Sequence, residues 1–334
     1  MLMIAMVALT AVFLLARAES IADGVGEGIV LAVNQVIPSL YPFLILTSFL
    51  SRQNIFISEN NRIVRIFTRL LKLPPHCLIS AVMAAVGGFP AGLKMTEELR
   101  QSGRLTNVQT RIMTACCFHA GPAFLITAVG QNMFGSRKAG LLLMSSTLLS
   151  SFITGLIAAS GKEAPKEQMP QAPAAASLSE TLVDSVTAAA KAMYAACIWI
   201  CIFMGVFRGL EAVFGTLPSV MYLLAEVTTG CMRCAEQGSL PLAAAACAFG
   251  GFCVHCQMLP TLVNIKIKYR YFLRYRFIHS LLAYGICLIL EKIFAPAVTA
   301  SLSVHSGGEL LLSVPQLLLL GTISAVLIWD TAPK

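Results

Sequence analysis

A chain of 334 residues with 57% hydrophobic and only 12% charged residues, at a mean hydropathy of +0.78, lies outside the range of soluble domains, where roughly a quarter of residues are charged. A soluble enzyme fold is thereby excluded, and because one span takes ~20 apolar residues, a chain of this length holds about ten spans joined by short loops. The net charge of +8 falls in short connections between apolar runs, where basic residues orient helices in a bilayer rather than grip nucleic acid.

The first run, 1–16, ends at Ala16-Arg17-Ala18, and with no basic residue ahead of it the run reads as a retained span rather than a cleaved leader. Further apolar runs follow at 28–50, 76–93, 112–131, 139–159, 182–207, 218–232, 240–262, 277–291 and 310–329, ten in all with the first. Between the fifth and sixth lies 160–181, in which Lys162, Glu163, Pro165, Lys166, Glu167 and Pro170 form a polar linker that cannot pack in hydrocarbon. The linker divides the chain in two. Most of the eleven cysteines, including Cys116, Cys117, Cys197, Cys247 and Cys287, sit inside apolar runs, where a free thiol behaves as a small hydrophobe.

The two halves share their punctuation. In each, a long apolar run (28–50, 182–207) leads to a short run that opens at proline (Pro74-Pro75, Pro218) and breaks at Gly87-Gly88-Phe89-Pro90-Ala91-Gly92 or at Glu226-Val227-Thr228-Thr229-Gly230. A run with a central histidine follows, His119 in the first half and His255 in the second. If all ten runs span, 14 basic residues collect on one side and 9 on the other. If 76–93 and 218–232 instead enter the membrane and return, the ratio becomes 17 to 6, which the positive-inside rule prefers, with the basic loops cytoplasmic. Three true crossings per half make the second half inverted relative to the first, as in many secondary transporters. The expected fold is an all-α polytopic membrane protein of two pseudo-repeats, with about eight spans plus two re-entrant or broken helices, or ten spans if none re-enters.

Chemistry is expected at the breaks. Gly87, Gly88, Pro90 and Gly92 weaken the helix and free backbone polar groups, which in hydrocarbon must be buried in protein or face a cavity. Lys94 beyond them reads as a residue snorkelling to the interface. Glu226, an acidic residue within an apolar run, is a functional-site candidate by default, and with Thr228, Thr229 and Gly230 it is suited to a cation, a proton or a polar solute. Its competing reading is an interfacial carboxylate paired with Arg233. Lys191 is embedded similarly and ranks below it. His119 and His255 read as ligand candidates or as packed, hydrogen-bonded residues, and Gln257 and Asn264 continue the polar trace of the second half, as Asn34, Gln35 and Ser39 do in the first. Cys231-x2-Cys234 and Cys253-x2-Cys256 fit a zinc-ribbon spacing, but the second pair lies inside an apolar run, so no metal or other cofactor is expected. No nucleophile constellation, Walker loop or dinucleotide fingerprint occurs, and catalysis is not expected.

The segments Val36-Ile37-Pro38-Ser39-Leu40-Tyr41-Pro42-Phe43, Gly87-Gly88-Phe89-Pro90-Ala91-Gly92-Leu93-Lys94 and Cys117-Phe118-His119-Ala120-Gly121-Pro122-Ala123-Phe124 resemble the sporulation integral membrane proteins of spore-forming Firmicutes, a family with a nucleoside-recognition, or Gate, domain. The resemblance runs over about 25–290 and departs from the family pattern at Gly88-Phe89 and His119-Ala120. It implies a multi-pass protein of the bacterial cytoplasmic membrane, distantly similar to concentrative nucleoside transporters. Its implied layout is an N-terminal span (1–24), a first Gate-like repeat (25–159), the polar linker (160–181), a second Gate-like repeat (182–296) and a C-terminal span (297–334). It further implies that the chain binds or moves a small polar, nucleoside-like solute, or else is a non-transporting assembly protein of the sporulation membrane. Its expected partners are the lipid bilayer, that solute and other sporulation membrane proteins.

Overall fold

Proline and glycine set where the helices of this chain stop. The computed structural model describes residues 1–52, 62–161 and 178–294, and every element in them is helical. Helix α1 (Leu2–Ala16) turns at Arg17 into α2 (Ala18–Leu31), with a bend of 83°. A π-helical turn at Ala32–Val36 leads into α3 (Ile37–Arg52). Pro38 lacks the N–H that would continue the ladder, and the Ile37 N–H reaches back to the Ala32 carbonyl instead.

Helix α4 (Arg62–Leu71) buries Val64, Phe67 and Leu71 and turns Arg62, Arg65 and Arg69 outward, the stripe of a helix lying along a surface. Helices α5 (Cys77–Gly87) and α6 (Phe89–Gln101) are separated by Gly88 alone. The chain reverses there, because Gly92 lies directly against Ala84, eight residues earlier. Helix α7 (Asn107–Cys116) is capped by the Thr106 hydroxyl and the Gln109 side chain, then breaks over 117–122 before the π-helical segment Ala123–Met133. Helix α8 (Arg137–Ala159) closes the half.

The second half begins after the linker. Helix α9 (Leu178–Phe214) is long, and α10 (Ser219–Ala225) and α11 (Val227–Glu236) reverse at Glu226, so that Gly230 lies against Leu223. Helices α12 (Leu240–Phe249) and α13 (Gly251–Asn264) form one crossing broken at Gly250, and α14 (Tyr269–Phe294) ends the described chain.

Four helices among the described residues are long and apolar enough to cross a bilayer: α8, α9, the broken α12–α13 and α14. The bent α1–α2 pair is a fifth if it crosses as one. Ten apolar runs therefore do not give ten continuous spans. The runs 76–93, 112–131 and 218–232 are divided by their breaks into short arms, and the arms α6, α7 and α11 extend past the apolar boundaries as amphipathic helices. The run 310–329, the expected C-terminal span and most of the linker lie outside the described residues.

Two features hold this frame. Helices α2 and α9 meet through glycines four apart on each: Gly24 lies against Met204 and Arg208 and Gly28 against Cys201, while Gly205 lies against Ile21 and Val25 and Gly209 against Ile21. A Cβ on Gly28 would stand 2.8 Å from the Cys201 Cα, so the backbones touch with no room for a side chain. Helix α8 carries Ser146, Ser150 and Thr154 on its buried face, each bonded to a carbonyl three or four residues earlier, while Ser151 donates to the Cys116 carbonyl of α7.

Candidate functional site

The breaks are brought together at the centre of the fold. Gly88 has φ +74°, and a Cβ there would meet the Gly121 N–H nitrogen at 2.6 Å, so the α5–α6 tip rests on the break after α7. In the second half Gly251 rests on Ala225 and Val227 at the α10–α11 tip. The two sets join where Gly250 abuts the rings of Phe89 and Phe118.

A cavity of about 460 Å³ opens beside these breaks, within the 300–1,000 Å³ usual for small-molecule sites. Gly87, Gly88 and Pro90 line one side of it, Glu226 and Thr228 the other, and Gln257 a third, with α3 and α9 closing it. Thr229 faces a second cavity. Gly92 does not reach the lining; it is pressed against Ala84 and the Cys117 carbonyl, and Gly230 likewise serves the reversal of its hairpin.

Glu226 is 4% exposed and sits in extended backbone at φ −138°, ψ 124°. Its carboxylate accepts from the Thr228 N–H at 2.9 Å, the Thr229 N–H at 2.7 Å and the Thr229 hydroxyl at 3.0 Å. It thus caps α11, satisfying donors that a helix N-terminus leaves open. Arg233 pairs with Glu236 at 3.0 Å and stacks over Tyr222 at 4.9 Å, so it is not the partner of Glu226.

The histidines stand apart from the cavity. His255 is held at both nitrogens, by the Tyr269 hydroxyl at 3.0 Å and the Phe249 carbonyl at 2.8 Å, inside an aromatic cluster with Phe118, Phe252 and Phe272. His119, 2% exposed, bonds the Ala120 carbonyl at 3.1 Å. Both occupy packed positions of the broken helices rather than the cavity wall. The cysteine pairs do not converge either, since Cys231 faces Cys247 at 3.4 Å. Among the described residues no three of His, Cys, Asp and Glu come close enough to hold one ion. Lys191 and Asn34 line the first and second cavities respectively, and the side chains of Gln35 and Ser39 are not among those described.

Two polar centres escaped the sequence reading. Glu97 of α6, 6% exposed, accepts from Lys94 at 2.8 Å, Gln101 at 3.3 Å, Thr261 at 3.2 Å and Asn264 at 2.5 Å, so it ties α6 to α13 at the cavity's outer end. Lys94 does not merely snorkel; it lines the cavity and is bonded to Glu97. The signal was the Lys94–Glu97 spacing, i to i+3 on one helical face. The second centre is Arg276, which lies just before the apolar run 277–291 and is 0% exposed within α14. Its guanidinium donates to the carbonyls of Ala115 and Phe118 at the end of α7 and to His279 Nδ1 at 3.1 Å, and it stacks on Phe118 and Phe272 at 4.8 and 5.3 Å. Extending the apolar period of 277–291 back to Phe272 and Leu273 would have placed Arg276 on the buried face.

No family model matches the chain, and no solved structure matches it significantly. A stretch of 121 residues, 36% of this chain, is 28% identical to the sporulation integral membrane protein YlbJ of Bacillus subtilis (strain 168). That stretch spans 30% of the relative's length, so the likeness concerns about a third of each protein.

Proposed function

We propose that the chain is a multi-pass protein of the bacterial cytoplasmic membrane, acting in sporulation, that binds or moves a small polar, nucleoside-like solute in the 460 Å³ cavity between the two helix breaks. One observation carries the reading: two stretches chosen from sequence for their interrupted helices, 87–90 and 226–228, line the same cavity. Broken helices at membrane depth present backbone groups to solutes. The shared order of elements in the two halves supports an inverted repeat with re-entrant hairpins at α5–α6 and α10–α11, on the plan of Gate-type domains. The similarity to YlbJ supports the link to sporulation.

The test is equilibrium binding of labelled nucleosides to the purified protein in nanodiscs. Gln257→Leu and Glu226→Asn are the informative variants, because asparagine still caps α11 while removing the charge. Gly92→Leu would instead break the hairpin, given its contact with Ala84. The expected outcome is saturable binding by the wild type that weakens in both variants. Binding unchanged in both refutes the site, and a wild type that binds no nucleoside favours the assembly reading.

A further inference from the structure

A second cavity of about 500 Å³ lies on the far side of Glu226, lined by Asn34, Phe207, Arg208, Tyr222, Thr229 and Arg233 among others. Glu226 is the one described residue in the wall of both cavities.

Their arrangement follows two helices that run past both. Along α9 the first cavity touches residues from Ala188 to Ile200 and the second touches residues from Phe203 to Glu211. Along the antiparallel neighbour the order is reversed: Glu27 to Asn34 line the second cavity and Val36 to Ser48 the first. At 1.5 Å per residue the stretch from Ala188 to Glu211 extends about 35 Å, against about 30 Å for the hydrocarbon of a bilayer. The cavities are therefore stacked along α9 rather than side by side, over a length close to the hydrocarbon thickness.

Charge marks the two outer ends. The first cavity carries Lys94, half exposed and paired with Glu97, on the outward run of α6. The second carries Arg208, also about half exposed, which pairs with Glu27 at 2.5 Å and Glu211 at 3.2 Å. Between these ends, Glu226 is the one described residue that lines both cavities. The Glu226 carboxylate is held by two N–H groups and a hydroxyl of its own helix, and among the described residues it forms no ion pair with either wall.

We propose that the two cavities are opposite mouths of a single route through the protein, open to opposite sides of the membrane and partitioned by Glu226. This deepens the solute-site reading above, and its test needs no solute, so the two can fail separately.

The experiment places single cysteines at Ala195, in the first cavity, and at Asn34, in the second, in a background where the half-buried Cys197, Cys201 and Cys256 are replaced by serine. Full-length protein in sealed vesicles is treated with a membrane-impermeant methanethiosulfonate reagent, once from outside and once trapped within, and the parent background must remain unlabelled. The expected result is Ala195→Cys labelled from one side only and Asn34→Cys from the other side only. Adding Glu226→Gly makes each site reactive from both sides. Labelling of both sites from the same side, of either site from both sides with Glu226 intact, or of neither site overturns the proposal. So does one-sided labelling that persists when Glu226→Gly is present.

Discussion

Replacing Arg276 measures how a membrane-buried cation without a carboxylate partner holds a helix break. In Arg276→Met the carbonyls of Ala115 and Phe118 and the Nδ1 of His279 lose their donor. Each buried acceptor left unpaired costs about 1–3 kcal/mol, so the gross loss is roughly 6 kcal/mol. Against it stands the relief of desolvation of the guanidinium, which amounts to several kcal/mol for an ion taken out of water. The net cost of methionine is about 2 kcal/mol. Arg276→Lys keeps the charge and its desolvation, but a point ammonium cannot fork between two carbonyls or stack flat on Phe118 and Phe272. Its cost is about 4 kcal/mol, as for a buried charge left uncompensated. At about 2 °C per kcal/mol for a chain of this size, thermal unfolding in detergent, followed by the tryptophan signal, should fall by about 4 °C for methionine and about 8 °C for lysine. A lysine variant more stable than the methionine one, or a methionine variant at least as stable as the wild type, would refute the reasoning.

Glycine substitution in α2 gives a matched pair: Gly28→Ala meets the Cys201 backbone and should cost about 1–3 kcal/mol by overpacking, whereas Gly26→Ala, with nothing within 4 Å, should stabilise by about 0.5–1 kcal/mol. Equal midpoints for the two variants in thermal unfolding contradict the close approach of α2 and α9. A double-mutant cycle of Glu97→Gln with Asn264→Ala should return a coupling of about 1.5–3 kcal/mol, as for hydrogen bonds to a charged group; additive effects would mean that α6 and α13 are joined otherwise. His76, in the turn before α5, bonds the Arg104 carbonyl at 3.0 Å, and burial holds its pKa below the usual 6.5. The folded state therefore binds fewer protons than the unfolded one below pH 6.5, so stability is full above that value and falls as pH drops through the lowered pKa. His76→Gln should flatten that acid slope, measured as the unfolding midpoint against pH; an unchanged slope would assign it to other groups.

The breaks were legible because glycine, proline and an isolated glutamate interrupt apolar runs, and those are the residues a helix interior rejects. Their convergence was not, since pairing Gly88 with Gly121 and Gly251 with Val227 depends on how separate hairpins pack. Glu97 was hidden because α6 continues as an amphipathic helix, and its charged residues resemble a loop to a hydropathy window. Arg276 was hidden for a related reason: a cation next to Lys268, Arg270 and Arg274 reads as part of a basic connection until the helical register sorts it from them. The α2–α9 seam was equally legible in retrospect, with glycines four apart at Gly24 and Gly28 and again at Gly205 and Gly209, but a four-residue spacing of small residues says nothing of its partner until both helices are placed.

The anchoring of α7 by Arg276 also bears on how the protein is made. The carbonyls of Ala115 and Phe118 are separated from Arg276 by 161 and 158 residues of chain. At a synthesis rate of roughly 5–20 residues per second, α14 emerges on the order of ten to thirty seconds after α7. Throughout that interval the end of α7 carries open acceptors that the nascent chain itself cannot close. Until α14 arrives those carbonyls depend on water for their hydrogen bonds, and truncation before α14 would leave them so permanently.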